Sequence, residues 1–86
     1  MAWGNVTVNG QDNCDIYIDG VYDAPRGKGP GPFVVTYGMH TFETLDVTRR
    51  VTASGNATVN KNQPDVAIVL TPVNQPAKPA VPPKQV

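Results

Sequence analysis

Four carboxylates, Asp12, Asp15, Asp19 and Asp23, fall close together in this chain, and the chemistry they bring to mind is calcium binding. Their spacing argues against it. On an extended strand Asp15 and Asp19 stand about 13 Å apart, and the set does not fit the twelve-residue calcium loop. Asp12, Asp19 and Asp23 read instead as turn formers, whose short side chains bond to nearby backbone. His40, the only histidine, has no cysteine near it in sequence. Its expected task is to order the Gly38-Met39 turn through a hydrogen bond, rather than to bind metal or move protons. Cys14 is the only cysteine, which excludes an internal disulfide and a zinc site built on several thiolates. Ser54, the only serine, lies in no nucleophile-elbow pattern. Gly27-Lys28 hints at a phosphate-cradling loop. That pattern needs a glycine five residues earlier and a Ser or Thr after the lysine, where this chain has Tyr22 and Gly29. No catalytic, cofactor-binding or metal-binding residue is therefore assigned, and an enzyme is the least supported class.

What remains is suited to contact. Arg49-Arg50, with Lys61, Arg26 and Lys28, makes a modest basic set, but seven basic and seven acidic side chains balance to zero net charge. A nucleic-acid reader shows a basic excess with exposed aromatics on its binding face, so nucleic acid is not an expected partner. Trp3 lies ahead of the first apolar alternation. It either folds back over an open end of the domain or anchors a partner surface, since large aromatics dominate interfaces. Both readings stay open on the sequence.

The elements that must position these residues are strands. Cys14, Ile16 and Ile18 alternate with Asp15, Tyr17 and Asp19, a period of two with one apolar face. Asp19-Gly20 supplies the left-handed conformations of a tight turn, and Val21-Tyr22 is expected to start the return strand. Gly4–Val8 makes a first strand with Val6 and Val8 on one face. The run 26–32 is rich in Gly and Pro and reads as an exposed loop. Phe33–Tyr37 forms a strand with Phe33, Val35 and Tyr37 inward, the choice that buries most apolar surface. Along His40–Leu45 the apolar phase changes between Phe42 and Leu45, which signals a bulge. Residues 47–53 are β-rich, Ser54-Gly55-Asn56 reads as a turn, and Ala57–Asn60 as a short strand. Val66–Leu70, the most continuous apolar run, is expected to be a central strand covered on both faces. The core expectation is Ile16, Ile18, Phe33, Val35, Phe42, Ile68 and Leu70.

The fold class is thus all-β: a small single-domain antiparallel β-sandwich of about seven short strands, with an extended Pro-rich C-terminal tail. The domain spans 1–71 and the tail 72–86, where Pro72, Pro76, Pro79, Pro82 and Pro83 fall among few large apolar groups. The first residues show neither the charged nor the apolar segment of a secretory signal, and no apolar run is long enough to span a bilayer. The expected setting is a virion or a host cytoplasm, with no membrane partner. Asn5-Val6-Thr7 and Asn56-Ala57-Thr58 then count as chance glycosylation sequons.

The stretches Cys14–Gly20 with Pro25 downstream, Tyr37–Glu43 with its Gly38-Met39-His40 step, and Val66–Pro72 together resemble a PEGA domain, a small β-sandwich module of surface and envelope proteins. The resemblance covers roughly residues 4–72. The family's Pro-Glu-Gly-Ala is replaced here by Gln11-Asp12-Asn13-Cys14, and its glycine and threonine around the proline by Asp23-Ala24-Pro25-Arg26. The resemblance implies a sandwich, no catalysis and no transferable binding motif. Three roles follow. The first is a structural or assembly protein, a phage capsid decoration or cement component docking on neighbouring subunits, with homo-oligomers among its expected contacts. Trp3, Arg49, Arg50, Pro76, Pro79 and Pro82 are its candidate contact residues. The second is a carbohydrate- or cell-surface-binding module in which Tyr17, Tyr22 or Trp3 stacks on sugar. The third is a small inhibitor of a host protein. None needs a cofactor.

Overall fold

A computed structural model of the chain describes residues 2–73, and Pro76, Pro79 and Pro82 lie outside the described residues. Eight strands follow in order among them: β1 (Trp3–Asn9), β2 (Asp15–Ile18), β3 (Gly27–Lys28), β4 (Phe33–Thr36), β5 (Gly38–Leu45), β6 (Val51–Val59), β7 (Asp65–Val69) and β8 (Thr71–Pro72). They form a three-stranded sheet in the order β4-β1-β7 and a five-stranded sheet in the order β3-β2-β5-β6-β8. The fold is all-β, as expected. One pairing departs from the antiparallel expectation: β7 runs parallel to β1, with Asn5 opposite Asp65 and Asn9 opposite Val69. The other named pairings are antiparallel.

The alternation of β1 and β2 produces the core directly. Val6 and Val8 from one sheet, and Ile16 and Ile18 from the other, are buried against Phe33, Val35, Phe42, Ala53, Ala57, Val59 and Leu70. The rings of Phe33 and Phe42 meet across the layers at 6.3 Å, tilted by 50°, a geometry that suits the edge and face charges of aromatic rings. Six of the seven expected core residues are buried. Ile68 is only half-buried, because β7 is an edge strand rather than a central one. Tyr37 also departs from expectation: Phe33 and Val35 point inward, but Tyr37 lies beyond the end of β4 and is exposed.

The phase change in β5 is a register irregularity between Thr44 and Leu45. Thr44, two residues after Phe42, is still inward by plain alternation, and its hydroxyl meets that of Thr52 at 2.8 Å. Three further expectations are corrected. Ser54-Gly55-Asn56 is the middle of β6, paired with Glu43, Phe42 and Thr41. A Cβ on Gly55 would lie 3.0 Å from Leu70 Cδ2, so the glycine there serves close packing rather than turning. The segment 47–50 is not strand. Asp46 Oδ1 accepts the Thr48 N–H at 2.8 Å, the Thr48 hydroxyl at 2.6 Å and the Arg50 N–H at 3.1 Å, closing a turn in which Arg49 has φ 70°. Finally, Asp19 (φ 57°) and Gly20 (φ 72°) do turn the chain, but Val21-Tyr22 does not pair back. The return strand is β3, displaced to Gly27–Lys28, with Arg26 N–H donating to Ile16 O at 2.8 Å. The Gly/Pro run is therefore fastened to the domain: Gly29 is buried, and a Cβ there would overlap the Gln11 carbonyl.

The chain crosses from β7 to the second sheet within one residue, and β8 pairs Thr71 with Ser54 and Pro72 with Ala53. Val73 N–H then donates to Thr52 O at 2.9 Å. Backbone pairing thus continues through residue 73. No helix among the described residues is long and apolar enough to cross a membrane.

Candidate functional site

The sharpest polar geometry joins two residues whose separation in sequence hid their relation. The left-handed turn at Asp19 brings its carboxylate beside β5, where Oδ1 accepts the Thr41 N–H at 3.0 Å and Oδ2 lies 2.6 Å from His40 Nδ1. His40 Nε2 lies 2.7 Å from the Thr36 carbonyl and 3.3 Å from the Thr36 hydroxyl. A carboxylate and a carbonyl both accept, so each ring nitrogen donates and the ring carries its charge. Burial alone would push His40 towards its neutral form. The Asp19 and Thr36 hydrogen bonds outweigh it, and the His40 pKa lies above its ordinary value. Burial acts against the Asp19 carboxylate too, yet the bonds from His40 and Thr41 hold its pKa below the usual value. An acid, a histidine and a hydroxyl in a row have the composition of a nucleophile relay. Here the Nε2 proton is committed to a backbone carbonyl, leaving no lone pair to accept a proton from Thr36 Oγ1. The group is a latch that fixes the β4–β5 turn, the role expected for His40.

A second cluster covers the outer face of the five-stranded sheet. Tyr17 is 7% exposed, although its alternation placed it outside. It lies on the face opposite Ile16 and Ile18, where the Tyr22 ring covers it with centroids 6.2 Å apart. The Tyr22 hydroxyl donates to Glu43 Oε1 at 2.5 Å, and that bond raises its pKa. Arg49 donates to the Tyr22 carbonyl. Tyr17 therefore presents no open face on which a sugar would stack, and Tyr22 is half-buried.

The remaining surface belongs to the three-stranded sheet. On its outer face Trp3 (44% exposed), Asn5 and Thr7 alternate along β1, flanked by Val34 and Thr36 of β4 and by Asp65, Ala67 and Val69 of β7. Asn5 Nδ2 donates to Asp65 Oδ1 at 3.0 Å. A shallow depression of about 390 Å³ is lined by Asn5, Thr7, Pro32, Asp65, Val66 and Ala67. Trp3 is thus not folded over an open end: it stands at the start of β1 opposite Thr36.

The borders of this sheet differ. Along β4, Arg26 reaches over and donates to the Val34 carbonyl. Along β7 nothing comparable occurs among the described residues. Asn5 N–H bonds to Pro64 O at 2.7 Å, and the parallel register then turns the backbone groups of Val66 and Ile68 towards β1. Those of Asp65, Ala67 and Val69 point out from the edge. The strand carries no lysine, no internal proline and no bulge, the devices that usually blunt an edge.

Among the described residues, Trp3 and the expected arginines lie apart. Trp3 lies near the Gly38 end of β5, whereas Arg49 and Arg50 occupy the turn beyond Leu45, roughly 24 Å away by strand rise. Lys61 sits in the turn after β6, at the end remote from Arg49 and Arg50. Lys28 pairs with Asp15 at 2.7 Å. Among the described residues, no three His, Cys, Asp or Glu side chains group closely enough to hold a metal ion. Set beside protein-family models, curated proteins and solved structures, the chain matches none.

Proposed function

We propose that this chain is a non-enzymatic structural module that docks on neighbouring protein subunits of a larger assembly, with capsid decoration or cement as its setting. The open β7 edge carries this reading. An exposed row of unpaired donors and acceptors is a template for another strand. Natural sheets shield such rows unless a partner uses them, and the opposite border of this sheet is shielded by Arg26. Trp3 and Val34 extend the contact area over the adjoining face. The test is copy number: purified particles from the native source should contain the chain in a fixed, high ratio to the principal subunit. Its absence from such particles, with all of it recovered free, rejects the proposal.

A second reading is supported by the outer-face depression. The Asn5–Asp65 pair and the Thr7 hydroxyl offer hydrogen bonds two and four residues along β1 from Trp3, an arrangement that suits a sugar. It agrees with the surface-binding role that the PEGA resemblance implies. Quenching of Trp3 fluorescence by oligosaccharides, lost in Trp3→Phe, supports it; an unchanged spectrum across a glycan panel rejects it.

A further inference from the structure

We infer that the occupant of the β7 edge is a second copy of this chain, paired antiparallel about a two-fold axis through Ala67. The inference rests on the docking role proposed above and names its partner. The outward backbone groups belong to Asp65, Ala67 and Val69. A two-fold axis at Ala67 sets Ala67 against the partner's Ala67, and Asp65 against the partner's Val69. All these are residues whose N–H and C=O face outward, so each pair exchanges two hydrogen bonds, about six in all. A register displaced by one residue would instead face outward groups with inward ones and make none. Self-complementarity of this kind is what a two-fold interface requires.

Charge selects the same arrangement. Parallel pairing in register would set Asp65 beside the partner's Asp65, a destabilising like-charge pair. Antiparallel pairing moves the two carboxylates to opposite ends, about 13 Å apart along the strands, beyond the Debye length of about 10 Å at 0.1 M salt. The side chains agree. Ala67 at the axis is small, Val66 and Ile68 are half-buried with apolar surface left at the edge, and Val69 is 68% exposed. Residues 74–86 are a poorer occupant, because Pro76, Pro79, Pro82 and Pro83 lack the N–H groups a ladder needs. The two three-stranded sheets would join into one continuous sheet with β4 at both ends.

The experiment is sedimentation equilibrium of the full chain from micromolar to millimolar concentration. The mass should rise from 9.2 kDa towards twice that value. Ala67→Pro removes an N–H that the monomer does not use; it should keep the wild-type circular dichroism and remain at 9.2 kDa throughout. Two further variants report the register without touching the backbone. Val69→Asp faces the partner's Asp65 and should weaken association several-fold, whereas Val69→Lys faces it with opposite charge and should retain or tighten it. If Ala67→Pro does not fold, this pair decides. A wild-type chain that stays monomeric at millimolar concentration overturns the inference, as does equal association of Val69→Asp and Val69→Lys. Either result leaves the docking role standing if particles still hold the chain at high copy. Absence from particles together with a β7 dimer overturns the docking role alone.

Discussion

The five-stranded sheet ends on both sides in two-residue strands, β3, followed by Gly29-Pro30, and β8, which itself contains Pro72, so neither border offers a long ladder. The three-stranded sheet ends on one side in β4, whose Val34 carbonyl is taken by Arg26, and on the other in β7, whose five residues nothing shields among the described residues. Both sheets share one core, yet among the described residues only the three-stranded sheet leaves a long edge strand available. Core packing therefore decides whether this chain folds, and the treatment of its borders decides what it meets.

The largest test of that contrast compares core with edge. Phe42 is fully buried between the sheets, and Phe42→Ala should cost about 3–5 kcal/mol. Ile18→Ala should cost about 2–5 kcal/mol, whereas Ile68→Ala, on the half-buried edge strand, should cost about 1–2 kcal/mol. Chemical denaturation orders the three, and a melt of Ile18→Ala that overlays wild type would show β2 to be unimportant to the core.

Next in size is the shielding of the β6 border. Deleting residues 72–86 removes half of β8 and the Val73–Thr52 bond. It should lower the melting temperature by several degrees, since about 1 kcal/mol corresponds to roughly 4–8 °C in a domain of this size. Deleting 74–86 should leave the melt unchanged. Equal melts for the two truncations would mean that β8 adds nothing.

The His40 latch should give a smaller, pH-dependent effect. Its folded pKa is raised, so the stabilisation is complete below the ordinary imidazole value of 6.5 and is lost as pH rises through the folded pKa. Asp19 is lowered, so its share is present above the ordinary carboxyl value of 3.8 and lost as pH falls through the folded pKa. Thermal stability should therefore be highest between those values and decline on the alkaline side. His40→Gln should flatten that decline; an identical pH profile would dismiss the latch.

These effects follow the parts of the chain that could be read in advance and the parts that could not. The alternation Cys14-Ile16-Ile18, the Asp19-Gly20 turn and the phase change before Leu45 are local signals, and each reports a local feature of the fold. The position of β7 is not local. A short apolar run such as Val66–Leu70 fits a central strand as well as an edge strand, and only the parallel register with β1 shows which it is. Ser54-Gly55-Asn56 has turn residues, but eight ladder positions on β5 and the side chain of Leu70 hold it extended. Asp19 and His40 each read as isolated turn residues, because a strand pairing rather than a motif brings them together. Among the described residues the Arg49-Arg50 turn and Lys61 lie at opposite ends of β6 and Lys28 is paired with Asp15, which is why the contact surface had to be found from sheet borders instead of charge.

Amide hydrogen exchange along β7, in protein dilute enough to be monomeric, tests the open edge most directly. Alternate amides of one strand should behave differently. Those of Val66 and Ile68, directed at β1, should exchange slowly, and those of Ala67 and Val69 at rates close to an unprotected chain. Equal protection of all four amides in the monomer would show that the edge is already covered within the chain, and would contradict the account.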